Sequence, residues 1–133
     1  MGKQLKVFAG QSNPELARSI CASIGVDPGQ IEYVCFSNEN IKVKICENMR
    51  GCDVFFIQTF CPSVSDNLME LLIALDALKY ASAGRITAVL PYYPYALADS
   101  KDEPRISVAS RLMADLIAEA GADRILSMTF RKQ

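Results

Sequence analysis

From Asp53 onward the sequence alternates short apolar runs with stretches of helical periodicity. This alternation restricts the fold more than any other feature of the chain. Asp53–Thr59 carries Val-Phe-Phe-Ile at its centre and reads as a buried strand. Leu68, Leu71, Leu72, Leu75 and Leu78 recur at helical spacing to about Tyr80, with Ser63 or Ser65 placed to cap the start. Ile86–Leu90 is another short apolar strand, stopped by Pro91. Ser107–Ala120 is expected as a helix with Ala109, Leu112, Met113, Leu116 and Ile117 inside. Gly121 ends it, and Arg124–Thr129 is the last strand. A strand-helix-strand-helix-strand series builds a mostly parallel central sheet with helices on both faces, because parallel neighbours need crossovers and the crossovers cover the sheet.

The amino-terminal part follows a different rhythm. Leu5–Ala9 is a short strand, and Gly10-Gln11-Ser12 turns the chain. Ser12-Asn13-Pro14-Glu15 has the Ser-x-x-Glu form of a capping box with proline in the first turn. The helix that follows presents Leu16, Ala17, Ile20, Cys21 and Ile24 on one face and stops at Gly25. Ile31–Phe36 reads as a strand. Ile41, Val43 and Ile45 alternate with Lys42 and Lys44 across a tight connection, the pattern of a β-hairpin with one face half-buried.

With 133 residues the chain has the length of one ordinary domain, and no repeat, linker or low-complexity tract divides it. Fourteen basic side chains nearly balance fifteen acidic ones, which argues against a general affinity for nucleic acid or acidic membranes. There is no histidine, so a histidine general base, a Ser-His-Asp triad and any histidine-ligated metal are excluded. The five cysteines form no C-x-x-C pair and read as reduced core filler. No apolar run has the length of a membrane span or follows the pattern of a signal peptide, and the expected location is cytoplasmic.

Individual motifs are weak. Gly10-Gln11-Ser12 is neither a Walker loop nor a G-x-G-x-x-G fingerprint, and a capped helix start explains it better than a phosphate cradle. Tyr92–Arg105 reads as a long loop, the kind that often carries function. Within it, Asp99 and Asp102 offer oxygen ligands of the type magnesium takes, and Tyr92, Tyr93 and Tyr95 offer stacking surfaces. Solvation and core cover explain these residues better.

Several segments taken in order carry more. Phe36-Ser37-Asn38-Glu39 before an alternating strand resembles the adenine-binding hairpin of the ribose-phosphate pyrophosphokinases (PRPP synthetases). Asn67-Leu68-Met69-Glu70-Leu71-Leu72-Ile73, Thr87-Ala88-Val89-Leu90-Pro91-Tyr92-Tyr93-Pro94-Tyr95-Ala96 and Ala120-Gly121-Ala122-Asp123-Arg124-Ile125-Leu126 resemble further segments of the same family, in register from about Val7 to Met128. The resemblance is to the amino-terminal domain of that family. It implies a phosphoribosyltransferase-like α/β fold over residues 1–133, without the carboxyl-terminal domain that holds ribose phosphate.

The family transfers the β,γ-diphosphoryl group of ATP to C1 of ribose 5-phosphate with magnesium, so ATP and Mg2+ are the implied cofactors. Phe36, Asn38 and Glu39 match the residues that grip adenine, an aromatic face with a donor and an acceptor beside it. Arg50, Ser82, Lys101, Asp102 and Arg105 match residues of a regulatory phosphate site, to which arginine and hydroxyl groups are suited.

Two departures matter. Where the family has Ala-Arg-Gln-Asp or a close variant, this chain has Ala96-Leu97-Ala98-Asp99. Where the family has Met-x-Leu-His, this chain has Met128-Thr129-Phe130-Arg131, a cation in place of the histidine that helps hold the magnesium-nucleotide. The expected catalytic residues and protein metal ligands are therefore none, adenine-nucleotide binding is weak, and the 133 residues are inactive alone. The resemblance also implies self-association as a dimer or higher ring. Full-length synthetase subunits are a further candidate partner.

Overall fold

A computed structural model describes residues 4–91, 105 and 108–127. The order of elements is β1 (Leu5–Ala9), α1 (Pro14–Ile24), β2 (Ile31–Cys35), β3 (Ile41–Ile45), β4 (Asp53–Ile57), α2 (Val64–Tyr80), β5 (Arg85–Leu90), α3 (Ala109–Ala120) and β6 (Arg124–Ser127). Strands β1, β4, β5 and β6 form a four-stranded sheet in the order β1-β4-β5-β6, every pair parallel. Strands β2 and β3 form the expected antiparallel hairpin, with Tyr33 opposite Val43 and Cys35 opposite Ile41.

Alternation along the strands assigns the two faces. Phe8, Val54, Phe56, Ile86, Ala88 and Leu90 point to one side, where they meet Leu71, Leu75 and Leu78 of α2 and Met113 and Ile117 of α3. Val7 and Ile57 point to the other side, against Ala17 and Cys21 of α1. The hairpin joins the first side: Ile31, Val43 and Ile45 pack on the larger core. Its lysines, Lys42 and Lys44, lie on the opposite, exposed face. Each fully buried leucine of α2 contributes on the order of 2 kcal/mol through the hydrophobic effect.

The cap of α1 differs from the expected box. Asn13, not Ser12, is the N-cap, its side-chain oxygen accepting the Leu16 N–H at 3.1 Å. Proline at the first helical position and Gly25 at φ 76 behave as expected, and the Gly25 N–H closes onto the Cys21 carbonyl at 2.9 Å. Ser63 occupies the N-cap position of α2 without a capping bond; its hydroxyl donates to the Asp66 carboxylate at 3.2 Å.

The interior of α3 is narrower than its periodicity implied. Met113 and Ile117 are buried, whereas Leu112 and Leu116 are 42% and 38% exposed. Successive residues are turned by about 100°, so a helix at the rim of a two-layer packing buries one stripe and leaves its neighbour half in solvent.

Candidate functional site

Two features lie toward the carboxyl ends of the parallel strands, where open α/β sheets bind ligands. One is the tip of the hairpin. The Phe36 N–H donates to the Asn40 carbonyl at 2.8 Å, and the Glu39 N–H donates to the Phe36 carbonyl at 2.9 Å, closing the turn. Glu39 takes a positive φ of 68, and the Asn40 N–H donates to the Asn38 side-chain oxygen at 3.2 Å. Asn38 therefore spends its acceptor on the turn and keeps its amide N–H groups for other partners. The Phe36 ring is 47% exposed.

The second feature is a cleft of about 660 Å³ between the hairpin and α2. Cys35, Glu39 and Asn40 line it from the hairpin, Asp66 and Glu70 from α2, and Gln11 from the loop after β1. Among the described residues no lysine or arginine lines it. Of the three residues matched to adenine recognition, Glu39 borders this cleft, and Phe36 and Asn38 lie outside it.

Beneath the cleft runs a buried polar network that the sequence reading did not find. The Glu70 carboxylate accepts the Gln11 backbone N–H at 2.7 Å, the Gln11 side-chain N–H at 2.8 Å and the Gln58 side-chain N–H at 3.0 Å. Gln58 also donates to the Asn67 carbonyl at 3.0 Å. The Ser12 hydroxyl donates to Gln58 Oε1 and accepts from the Thr59 N–H at 2.9 Å and the Thr59 hydroxyl at 2.8 Å.

The loop that might have cradled a phosphate is thus occupied from within, its amide and its hydroxyl both engaged. Tyr33 of the hairpin donates its hydroxyl to the Ala9 carbonyl, immediately before that loop. Burial, with the nearby Glu70 charge second, holds the Tyr33 phenol far above its ordinary pKa. The signals in the sequence were Glu70, four residues before buried Ala74 on the α2 core stripe, and Gln58, ending an apolar strand.

At the amino-terminal ends of the central strands β4 and β5, the turns carrying Arg50 and Ser82 meet: the Gly51 N–H donates to the Ser82 carbonyl at 2.8 Å. Arg50 is exposed, and its own N–H is held by the Asn48 side chain at 3.1 Å. Arg105 is exposed, and no hydrogen bond among the described residues joins it to these two. Lys101, Asp102, Asp99, Tyr92, Tyr93, Tyr95, Leu97, Ala98 and Arg131 lie outside the described residues. All five cysteines are free, but the core-filler reading holds only for the buried Cys21 and Cys52, since Cys46 is half-buried and Cys35 and Cys61 are exposed at the end of β2 and in the loop before α2. No helix among the described residues is long and apolar enough to cross a membrane.

Residues 5–121 match a family model described as the N-terminal domain of ribose phosphate pyrophosphokinase. The chain is 56% identical over 125 residues to the ribose-phosphate pyrophosphokinase of Deinococcus radiodurans, covering 94% of this chain and 39% of that protein. It is 52% identical over 126 residues to the enzyme of the same name from Clostridium perfringens, covering 95% of this chain and 40% of that one. The crystal structure of phosphoribosylpyrophosphate synthetase from Mycobacterium smegmatis superposes with a TM-score of 0.93 at 44% identity, over 96% of this chain and 43% of that one. The chain spans about 40% of the length of the curated relatives it matches. By the match of its sequence and the shape of its sheet, helices and hairpin, the chain belongs to the family of the N-terminal domain of ribose phosphate pyrophosphokinase.

Proposed function

We propose that this chain is the ATP-binding and assembly half of a ribose-phosphate pyrophosphokinase acting in nucleotide biosynthesis in the cytoplasm, and that its 133 residues alone do not turn over. The observation that carries this reading is the hairpin tip. The adenine edge presents N7 as acceptor and N6–H2 as donor. Asn38, its oxygen already spent, supplies the donor for the first. The exposed Glu39 carboxylate accepts from the second, and the Phe36 ring supplies a stacking face. Arg50, Ser82, Lys101, Asp102 and Arg105 are assigned to a regulatory phosphate.

Among the described residues no group of three His, Cys, Asp or Glu side chains is placed to hold a metal. No residue of this chain is assigned to magnesium. Magnesium of this enzyme class travels on nucleotide phosphates, with few ligands from the protein. Phosphoryl transfer depends on positioned charges around the transferring group. In the 133 residues the expected arginine and histidine positions hold Leu97 and Arg131, and no acidic-Thr-Gly-Gly loop occurs.

The test is a coupled assay for magnesium-dependent AMP release from ATP and ribose 5-phosphate, with calorimetry of ATP binding alongside. No AMP above trace and weak ATP binding that Phe36→Ala removes are expected. Turnover by the 133 residues, or sub-micromolar ATP affinity lost in Phe36→Ala, would overturn the reading.

The replacements at Leu97, Ala98 and Arg131 favour a second reading, a non-catalytic regulatory or assembly partner of full-length synthetase subunits. Restored activity on adding a separately expressed carboxyl-terminal domain supports the first reading. Mixed assemblies with altered regulation support the second.

A further inference from the structure

Three N–H donors converge on the Glu70 carboxylate: the Gln11 backbone amide, the Gln11 side chain and the Gln58 side chain, at 2.7, 2.8 and 3.0 Å. The side chain is 7% exposed and comes from α2, whereas the donors come from the loop after β1 and the end of β4. The Gln11 backbone N–H and the Gln58 side chain share Oε1 while the Gln11 side chain meets Oε2, so a glutamine here keeps the first two bonds, and the third only if the Gln11 amide flips. The loop so held continues directly from Ala9, whose carbonyl receives the Tyr33 hydroxyl of the hairpin. Glu70 also lines the cleft between the hairpin and α2, together with Gln11, Glu39 and Asn40.

We propose that Glu70 is a positioning residue. Its carboxylate is the built-in anion of the β1–α1 junction. By locking Gln11 it fixes the ledge on which Tyr33 seats the hairpin, and so presets the width of the cleft. The junction therefore takes no phosphate from a ligand, and the hairpin is held relative to the sheet before any ligand arrives. This inference stands whether or not the hairpin grips adenine, because it concerns what places the hairpin.

The test is amide hydrogen exchange and NMR on the 133-residue chain, comparing wild type with Glu70→Gln, Glu70→Ala and Tyr33→Phe. In Glu70→Ala, which removes the acceptor, the Gln11 backbone amide is expected to lose at least roughly tenfold of its protection, with loosening spread to the hairpin amides of β2 and β3, whereas Glu70→Gln, which keeps Oε1, loses less. Tyr33→Phe loosens the hairpin and leaves Gln11 protected. In Glu70→Ala, titration with sodium formate is expected to restore the Gln11 amide shift saturably, together with hairpin protection. A sodium chloride titration to the same ionic strength does neither.

Wild-type protection at Gln11 in Glu70→Ala, or a formate response no different from chloride, would overturn the proposal. If Glu70→Ala does not fold, Glu70→Leu, of similar size and without an acceptor, takes its place. Global unfolding of Glu70→Leu as well would make Glu70 a determinant of the fold, not a positioning residue, and would also overturn it.

Discussion

Gly10 and Gln58 approach so closely that a β-carbon on Gly10 would stand 2.1 Å from Gln58 Oε1. Gln58 is itself pinned by Ser12, Asn67 and Glu70 and cannot move aside without breaking those bonds. Gly10→Ala is therefore expected to destabilise the fold by about 1–3 kcal/mol, the range for inserting a methyl group into a filled interior. Thermal denaturation of the variant beside wild type measures it. A melting temperature unchanged within error would mean that Gln58 is free to move.

The two stripes of α3 offer a second comparison. Met113 is 7% exposed and packs in the main core, whereas its neighbour Leu112 is 42% exposed. Met113→Ala is expected to cost about 2–4 kcal/mol and Leu112→Ala less than about 1 kcal/mol. Urea denaturation resolves the difference. Equal costs would place Leu112 in a buried contact.

Tyr33 predicts a pH dependence. Its folded pKa is raised above the unfolded value near 10, so the folded state holds a proton that the unfolded state releases. The stability this contributes is fully present below about pH 10 and is lost as pH rises above it. Melting temperatures taken from pH 8 to 11 should fall more steeply in wild type than in Tyr33→Phe, which has no proton to lose. Parallel curves would show that the Tyr33 hydroxyl titrates normally.

Self-association is expected, though not through the apolar run of β4. Val54, Phe56, Ile57 and Phe60 are buried in the fold. Among the described residues the exposed large apolar side chains are instead Ile24, Met69, Tyr80, Leu112, Leu116 and Leu126, with Phe36 and Val34 on the hairpin. A net charge of −1 does little to keep copies apart. Light scattering at concentrations on the order of tens of micromolar should give a defined mass above the monomer. A clean monomer would contradict the expectation.

The parallel sheet was legible because its strands are short and apolar on both faces and because helical periods separate them. Val54, Phe56, Ile86, Ala88 and Leu90 all fall where alternation and burial put them. The hairpin was legible from Ile41, Val43 and Ile45 alternating with lysines, a period only a half-buried strand satisfies. The polar network was not, because Gln11, Gln58 and Glu70 stand far apart in sequence and each looks like an ordinary polar residue in its own segment. Their meaning arises only when β1 and β4 become neighbours. Ser12 was misread for the same reason: a local capping bond competed with partners 46 and 47 positions away, and the distant partners won.

The order β1-β4-β5-β6 has a consequence for how the chain reaches this state. From Asp53 on, each strand pairs with the next strand in sequence, Asp53 with Arg85 and Thr87 with Arg124. β1 is different, since Leu5 must find Asp53 across a helix and a hairpin. That pairing is the most distant of the three, and the network around Glu70 cannot be completed before it, because Gln11 and Ser12 follow directly from β1.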